Sequence, residues 1–313
     1  MRCAAFEVDM TSRFVLGTVQ LGMPYGVANR TGKPDQRCAD GIVSAAWKSG
    51  ITAFDTAAAY GDSERVLGFS LRAAGAESPE IITKLPPHTL PCSASLLSGI
   101  VAASLERLRV SHLRCLMLHR EEELEYLDGE TGRVLQQMMH DGILGGIGVS
   151  VYTTDAAHKA LAHPMITALQ LPASVFDRRF ELAGIFERAG AAGKTVYIRS
   201  ALLQGVLCLA PDELPEHLRC LAPYLHEFQQ CCRRFGLTQA QAALLFVYYR
   251  YPSAFILFGA ETVGQVEENA VSLLSACSRE SFLEALTAIM PEQNPEVLNP
   301  ACWKKRTSNV ALQ

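Results

Sequence analysis

Four side chains of this 313-residue chain, Asp55, Tyr60, Lys84 and His119, have the types needed to pass a proton to or from an oxygen atom. A tyrosine hydroxyl titrates near about 10, too high for easy exchange near neutrality. A lysine ammonium close by favours the phenolate and lowers that value. A partly buried ammonium in turn needs a carboxylate partner, which Asp55 can supply. A histidine beside the tyrosine can donate a hydrogen bond to a carbonyl oxygen, orienting it and stabilising the negative charge that develops there. Together the four read as a general acid for reducing a carbonyl, or a general base for oxidising an alcohol, with Tyr60 transferring the proton. No side chain can supply a hydride, so this chemistry requires a cofactor.

Taken singly, each residue has a plainer reading. A tyrosine after a strand is usually a half-buried amphipathic side chain, a strand-end lysine a solvated one, and an aspartate a turn or cap residue. The residues after His119, Arg120 and Glu121 to Glu123, read as a solvated loop. Position is what separates the readings. Asp55 ends one apolar run, Lys84 the next and His119 the one after, with Tyr60 just beyond the first.

Those runs belong to a regular alternation. Strands are expected at Phe14–Gly17, Thr52–Asp55, Glu80–Lys84, His112–His119, Gly146–Ser150, Ile166–Gln170, Thr195–Arg199 and Ala254–Phe258. Helices are expected at Asp40–Gly50, Asp62–Ala74 with Asp62 as N-cap, Ser93–Arg109, Gly132–Asp141, Asp155–Ala162, Glu181–Gly193, Leu214–Phe235, Gln239–Tyr251 and Val263–Ala276. Leu96, Leu97, Ile100, Val101, Leu105 and Leu108 show the helical period within the third of these. Strands so short and apolar suit a parallel sheet covered on both faces. Eight βα units close a barrel, whose active site lies at the C-terminal ends of the strands. An open doubly wound sheet would want a G-x-G-x-x-G turn after its first strand. The nearest candidate, Gly145-Gly146-Ile147-Gly148, lacks the third glycine and lies mid-chain within an expected strand.

Composition narrows the function classes. Hydrophobic residues make up 49% and charged residues 19%, and the formal net charge is -4. That balance leaves no basic footprint for nucleic acid. The longest apolar run, Ala242 to Tyr249, is far too short to span a membrane. The first ten residues carry Arg2, Glu7 and Asp9 and lack a secretory apolar core. None of the ten cysteines forms a C-x-x-C pair or a zinc spacing with histidine, so no metal is expected. They read as buried thiols of a cytoplasmic protein. A single barrel over residues 1–290 is expected, with 291–313 a polar tail in which Pro291, Pro295 and Pro300 leave no room for a regular helix. The sequence carries no signal of oligomeric state.

The ordered set of segments resembles the aldo-keto reductases, over roughly Phe14 to Ala276. Asp55-Thr56 through Tyr60-Gly61, Lys84 and His119 are similar to that family's catalytic tetrad. Gly17-Thr18 resembles its first strand exit, Gly146 to Ser150 its strand-five motif and Gln170 its strand-six glutamine. Arg199-Ser200 with Leu202 to Gly205 resembles its strand-seven loop, and Gly259-Ala260-Glu261-Thr262 with Gln265, Glu268 and Asn269 its adenosine-binding segment. The resemblance implies a (β/α)8 barrel with NADP(H) or NAD(H) extended across its mouth and no separate nucleotide-binding domain. Thr18 and the strand-seven residues Arg199, Ser200, Leu202 and Gly205 would lie along the cofactor. Ser150 and Gln170 would hold the carboxamide, a strand-seven residue would lie against the nicotinamide ring, and Glu268 and Asn269 would meet the adenine.

Two departures from the family pattern matter. Ser150 is followed by Val151 where an asparagine is usual, so one carboxamide hydrogen bond is missing or comes from elsewhere. Glu261 stands where many relatives carry a basic residue, and a carboxylate there repels a 2′-phosphate and can accept from ribose hydroxyls. The choice between NAD and NADP is therefore open. The implied activity is reversible reduction of an aldehyde or ketone, a sugar or another polar metabolite. The family also offers cofactor-sensing regulatory subunits, and sugar-modifying enzymes whose cofactor does not exchange. Tyr25 is a candidate for the substrate pocket. So is Trp303, since a C-terminal loop folding over the pocket is a family habit.

Overall fold

The alternation of short apolar runs with amphipathic ones becomes eight parallel strands separated by helices in the computed structural model, which describes residues 10–271 and 279–303. The strands are β1 (Phe14–Gly17), β2 (Ala53–Asp55), β3 (Glu80–Lys84), β4 (Cys115–Leu118), β5 (Ile147–Ser150), β6 (Ala168–Pro172), β7 (Thr195–Arg199) and β8 (Phe255–Gly259). Each pairs with the next, and β8 returns to β1, where Gly17 lies opposite Gly259. The longer helices are α1 (Gln36–Lys48), α2 (Ser63–Ala73), α3 (Ala94–Leu108), α4 (Glu130–His140), α5 (Thr154–Ala162), α6 (Ile185–Ala191), α7 (Ala222–Phe235), α8 (Gln239–Arg250), α9 (Val263–Val271) and α10 (Arg279–Thr287). The architecture is the expected (β/α)8 barrel.

Strand periodicity explains how one barrel becomes both core and site. Successive side chains on a strand point to opposite faces. The inward set Val15, Ala53, Ile82, Cys115, Met117, Ala168, Tyr197 and Leu257 packs together inside the barrel. Two residues further along the same strands stand Gly17, Asp55, Lys84, His119, Gln170, Arg199 and Gly259. Each strand's inward face is thus apolar below and polar or absent at the mouth. The outward residues, such as Leu16, Phe54, Ile81, Leu116, Val149, Leu169, Ile198 and Ile256, join the helices in a second, larger core.

Several boundaries differ from the sequence reading, each for a local reason. Helix α1 starts at Gln36 because the Asp35 carboxylate accepts from the Cys38 N–H and caps it. Strand β4 is shorter than expected, since Leu113 makes only an isolated bridge to Leu144. The stretch Leu214–Phe235 splits into a 3-10 segment, Glu216–Leu221, and α7, with Pro215 and Pro223 at the two starts. Asp62 precedes α2 but makes no cap hydrogen bond; its carboxylate is taken by Lys33 and Arg65. In the tail, Pro295 begins a one-turn helix to Leu298, where a missing N–H costs little. Eight cysteines are described and all are free thiols; Cys3 and Cys277 lie outside the described residues, as do Lys304, Lys305, Arg306 and the expected end of the helix at Ala276. No described helix is long and apolar enough to cross a membrane.

Candidate active site

The strand ends bring the four proposed catalytic side chains to one place. Lys84, 1% exposed, donates to both carboxylate oxygens of Asp55, at 2.6 and 2.8 Å, and to the Thr56 carbonyl at 2.9 Å. The Gln170 amide adds a third donor to Asp55 at 2.8 Å. Asp55 is therefore the hub on which β2, β3 and β6 converge. The Lys84 ammonium also sits 5.1 Å from the centroid of the Tyr60 ring, and the His119 ring meets the Tyr60 ring edge-on at 5.9 Å.

Backbone packing fixes where Tyr60 stands. Its chain crosses a one-turn helix, Val19–Gly22, at very short range: a Cβ on Gly22 would lie 1.8 Å from the Tyr60 carbonyl oxygen. Gly61 has φ +58°, and a Cβ there would reach 2.4 Å from the Gly22 oxygen. The turn between β2 and α2 thus needs both glycines. Beneath it, the Thr18 hydroxyl donates to the Asp55 carbonyl at 2.9 Å, and the Ser63 hydroxyl to the Thr18 carbonyl at 2.7 Å. Thr18, expected along the cofactor, is fully buried and its hydroxyl serves this network.

The electrostatics differ from the sequence expectation. Burial, reinforced by the Asp55 charge, holds the Tyr60 hydroxyl well above the usual phenol range, and Arg199 opposes the shift. The Lys84 ammonium is taken up by the Asp55 carboxylate and the Thr56 carbonyl and makes no hydrogen bond to the Tyr60 hydroxyl among the described residues. Tyr60 is therefore a neutral phenol. His119 is pushed down to about 4, by burial first and then by the Lys84 charge, so its imidazole is neutral near pH 7. A neutral imidazole can donate one hydrogen bond to a substrate oxygen but has no second proton to give.

A cleft of about 440 Å³ runs from this corner across the barrel mouth, within the size range of small-molecule and cofactor sites. Asp55, Tyr60, Gln170, Arg199, Tyr25 and Gln204 lie along one part, and Glu261, Gln265, Glu268 and Asn269 along another. Between them are Thr18, Ser200, Leu202, Gly205, Gly259, and Thr238 with Gln239 and Ala240 at the start of α8. Three features fit an extended dinucleotide. The N-terminal end of α8, capped by Thr238, suits a pyrophosphate. Gly259 makes room for the Gln20 side chain, whose amide would lie 2.3 Å from a Cβ there, and Gln20 Oε1 is buried with no hydrogen-bond partner among the described residues. Acceptors of ribose and adenine groups are gathered around Glu261 and Asn269.

Not every expected residue lines the cleft: its walls include Asp55 and Tyr60 but neither Lys84 nor His119. Ser150 is paired with Gln170 in register at the mouth but is buried beneath the cleft surface. Arg199, expected along the cofactor, lines the cleft but turns toward the end of β5, donating to the Val151 carbonyl at 3.1 Å. Trp303 stands away from the cleft: its indole N–H donates to the Val297 carbonyl at 2.9 Å and its ring packs on His217. Tyr25 does line it, and its hydroxyl accepts from the Gln204 amide at 2.8 Å. Burial pushes the Tyr25 phenol up to about 12. That bond, the Val27 N–H on the Gln204 carbonyl at 2.9 Å, and an Arg30–Glu213 ion pair join the loops after β1 and β7 over the cleft.

Sequence reasoning passed over Gln20, Tyr152, Gln204 and Glu121. The first three lie in loops or one-turn segments, where no period marks a side chain as inward. Glu121, expected in a solvated loop, accepts from the N–H groups of Tyr152 and Thr153, at 2.6 and 3.1 Å, and so anchors the loop after β5. Its neighbour Glu123 is buried.

Comparison with known proteins agrees with this fold. A family model described as "Aldo/keto reductase family" matches residues 13–287. An NADH-specific methylglyoxal reductase of Escherichia coli is 27% identical, covering 85% of this chain and 91% of its own length. An uncharacterized oxidoreductase of Mycobacterium tuberculosis is 27% identical, covering 91% of this chain and 92% of its own. Among solved structures, an aldo-keto reductase of Bacillus halodurans in its holo form superposes with a TM-score of 0.72 at 20% identity, covering 90% of this chain and 94% of that one. This last likeness concerns the fold.

Proposed function

The chain belongs to the aldo/keto reductase family, and on that footing we propose that it reversibly reduces the carbonyl group of a small polar aldehyde or ketone, with Tyr60 as the proton donor. A bound nicotinamide cofactor would supply the hydride. Gln170 would hold its carboxamide, and Glu261, Gln265, Glu268 and Asn269 its adenosine.

The observation that carries the reading is the corner where a neutral phenol, a neutral imidazole and a buried Lys84–Asp55 pair meet at one mouth. His119 orients the carbonyl oxygen by hydrogen bonding. As negative charge grows on that oxygen, it becomes basic enough to take the Tyr60 proton. The phenolate left behind is then stabilised by the positive charge of Arg199, which already opposes the rise of the resting hydroxyl. The high resting value of Tyr60 suits an acid that must stay protonated until the oxygen is ready. In the oxidative direction the Tyr60 phenolate takes the proton of the alcohol and becomes the neutral phenol again.

We further read Glu261 as favouring NAD(H). Its carboxylate lines the cleft near the adenosine end, and its Oε2 meets the Thr31 hydroxyl at 3.4 Å, with no arginine or lysine ion-paired to it among the described residues. The relative named as an NADH-specific methylglyoxal reductase supports this reading, and its named activity supports a small carbonyl substrate. Fluorescence titration with NADH and NADPH, followed by a carbonyl panel with the tighter cofactor, tests both statements. Tight NADH binding and turnover of a polar aldehyde or ketone are expected. Failure to bind either nucleotide would refute the reading. Binding without turnover, together with a stoichiometric partner in a pull-down, would favour a regulatory subunit instead.

A further inference from the structure

Proton transfer leaves Arg199 without a complete role, and its surroundings are specific. The side chain crosses from the end of β7 to β5, where Nη2 donates to the Val151 carbonyl at 3.1 Å and the guanidinium lies over the Tyr152 ring, 4.3 Å from its centroid. Stacking on an aromatic face holds such a fork in one plane. Glu121 fixes that ring in turn, by accepting from the Tyr152 and Thr153 N–H groups and, at 2.9 Å, from the Thr153 hydroxyl. Arg199 Nε is shut away from water and meets no acceptor, and among the described residues Arg199 forms no ion pair. The positive charge is felt at Tyr60, Tyr25 and His119, which places it at the reacting end of the cleft and away from Glu261.

A guanidinium held rigidly in a cleft without a counter-ion is costly unless an anion comes to it. Tyr25 adds a second donor: its oxygen accepts from Gln204, so its own hydrogen is free to reach a ligand. Resting on the reaction proposed above, we infer that Arg199, with the Tyr25 hydroxyl, receives a carboxylate carried by the substrate, so that oxo acids are the preferred carbonyl compounds. The carbonyl oxygen would sit against Tyr60 and His119, and the carboxylate against the open edge of the guanidinium. Val151 contributes to this arrangement by offering only its backbone carbonyl, which anchors the guanidinium without neutralising it.

The test compares charged substrates with neutral partners: glyoxylate and succinate semialdehyde against their methyl esters, and glyceraldehyde 3-phosphate against glyceraldehyde. In the wild-type protein kcat/KM is expected to favour each carboxylate by about tenfold or more, a preference that collapses in Arg199→Met and partly returns in Arg199→Lys. Malonate, which cannot be reduced, supplies a readout independent of turnover. Calorimetry on the NADH-loaded protein should show malonate binding that weakens about tenfold more than NADH binding does in Arg199→Met. Preference for the esters, or for the phosphate over the carboxylates, overturns the proposal. So does malonate binding that the substitution leaves unchanged, or a loss of NADH affinity as large as that of malonate, which would give the cation to the cofactor. Absence of turnover with every carbonyl while malonate still binds through Arg199 would refute the reaction and leave the carboxylate site standing.

Discussion

His119 enters the folded protein as a neutral imidazole, and that choice has a pH signature. Its value falls from 6.5 to about 4 on folding, because burial and the Lys84 charge disfavour the imidazolium. The stability tied to a lowered histidine is complete above the unfolded value and is lost as pH falls from about 6.5 toward 4. At most about 3 kcal/mol is at stake. Denaturant unfolding at about pH 7 and about pH 4.5 should show wild type losing more stability than His119→Gln across that window; equal losses would place the titration elsewhere. Lys84 makes the complementary case. Replacing it by Met leaves Asp55, 4% exposed, with the Gln170 amide as its remaining side-chain donor. Breaking a buried pair from one side costs about 3–5 kcal/mol, and Asp55→Asn in the same background should recover part of it. The chemistry of all four residues was legible from their types at successive strand ends. The sign of the Tyr60 shift was not, because burial sets it first, and a sequence does not report how deeply packing buries one hydroxyl.

At the scale of elements, the site depends on close backbone contact as much as on side chains. Gly22 and Gly61 let the one-turn helix after β1 press against the turn that carries Tyr60. Gly22→Ala forces those segments apart at the Tyr60 carbonyl. Turnover should fall by about tenfold to a hundredfold, as expected when a reacting group is displaced by about 1 Å, with the circular dichroism spectrum of the barrel retained. Undiminished kcat would mean that the turn tolerates the shift. The elements themselves were largely readable: apolar runs of four or five residues, alternating with amphipathic stretches, have few solutions other than a closed parallel barrel. What escaped was set by local competition. Asp35 began α1 earlier because it found the Cys38 N–H, and Asp62 failed to cap α2 because Lys33 and Arg65 took its carboxylate. The loops after β5 and β7, which hold Tyr152 and Gln204, follow no period and became legible only through their contacts.

For the whole molecule, the account assigns the two parts of one cleft to different tasks: chemistry around Tyr60 and nucleotide selection around Glu261. The second assignment predicts that Glu261→Arg shifts relative affinity toward NADPH by about tenfold, measured by fluorescence titration, while NADH binding weakens. An unchanged ratio would show that the 2′ position of the ribose lies beyond this residue. The C-terminal segment was legible only in part: Trp303 packs on His217 and Val297 rather than over the cleft. The central claim is that this barrel reduces a carbonyl with Tyr60 giving the proton. Its most direct test measures NAD(P)H affinity and turnover side by side in wild type and Tyr60→Phe. Near-equal cofactor affinity is expected, with turnover reduced by roughly a hundredfold or more, as when a general acid is removed. Full turnover in Tyr60→Phe would contradict it.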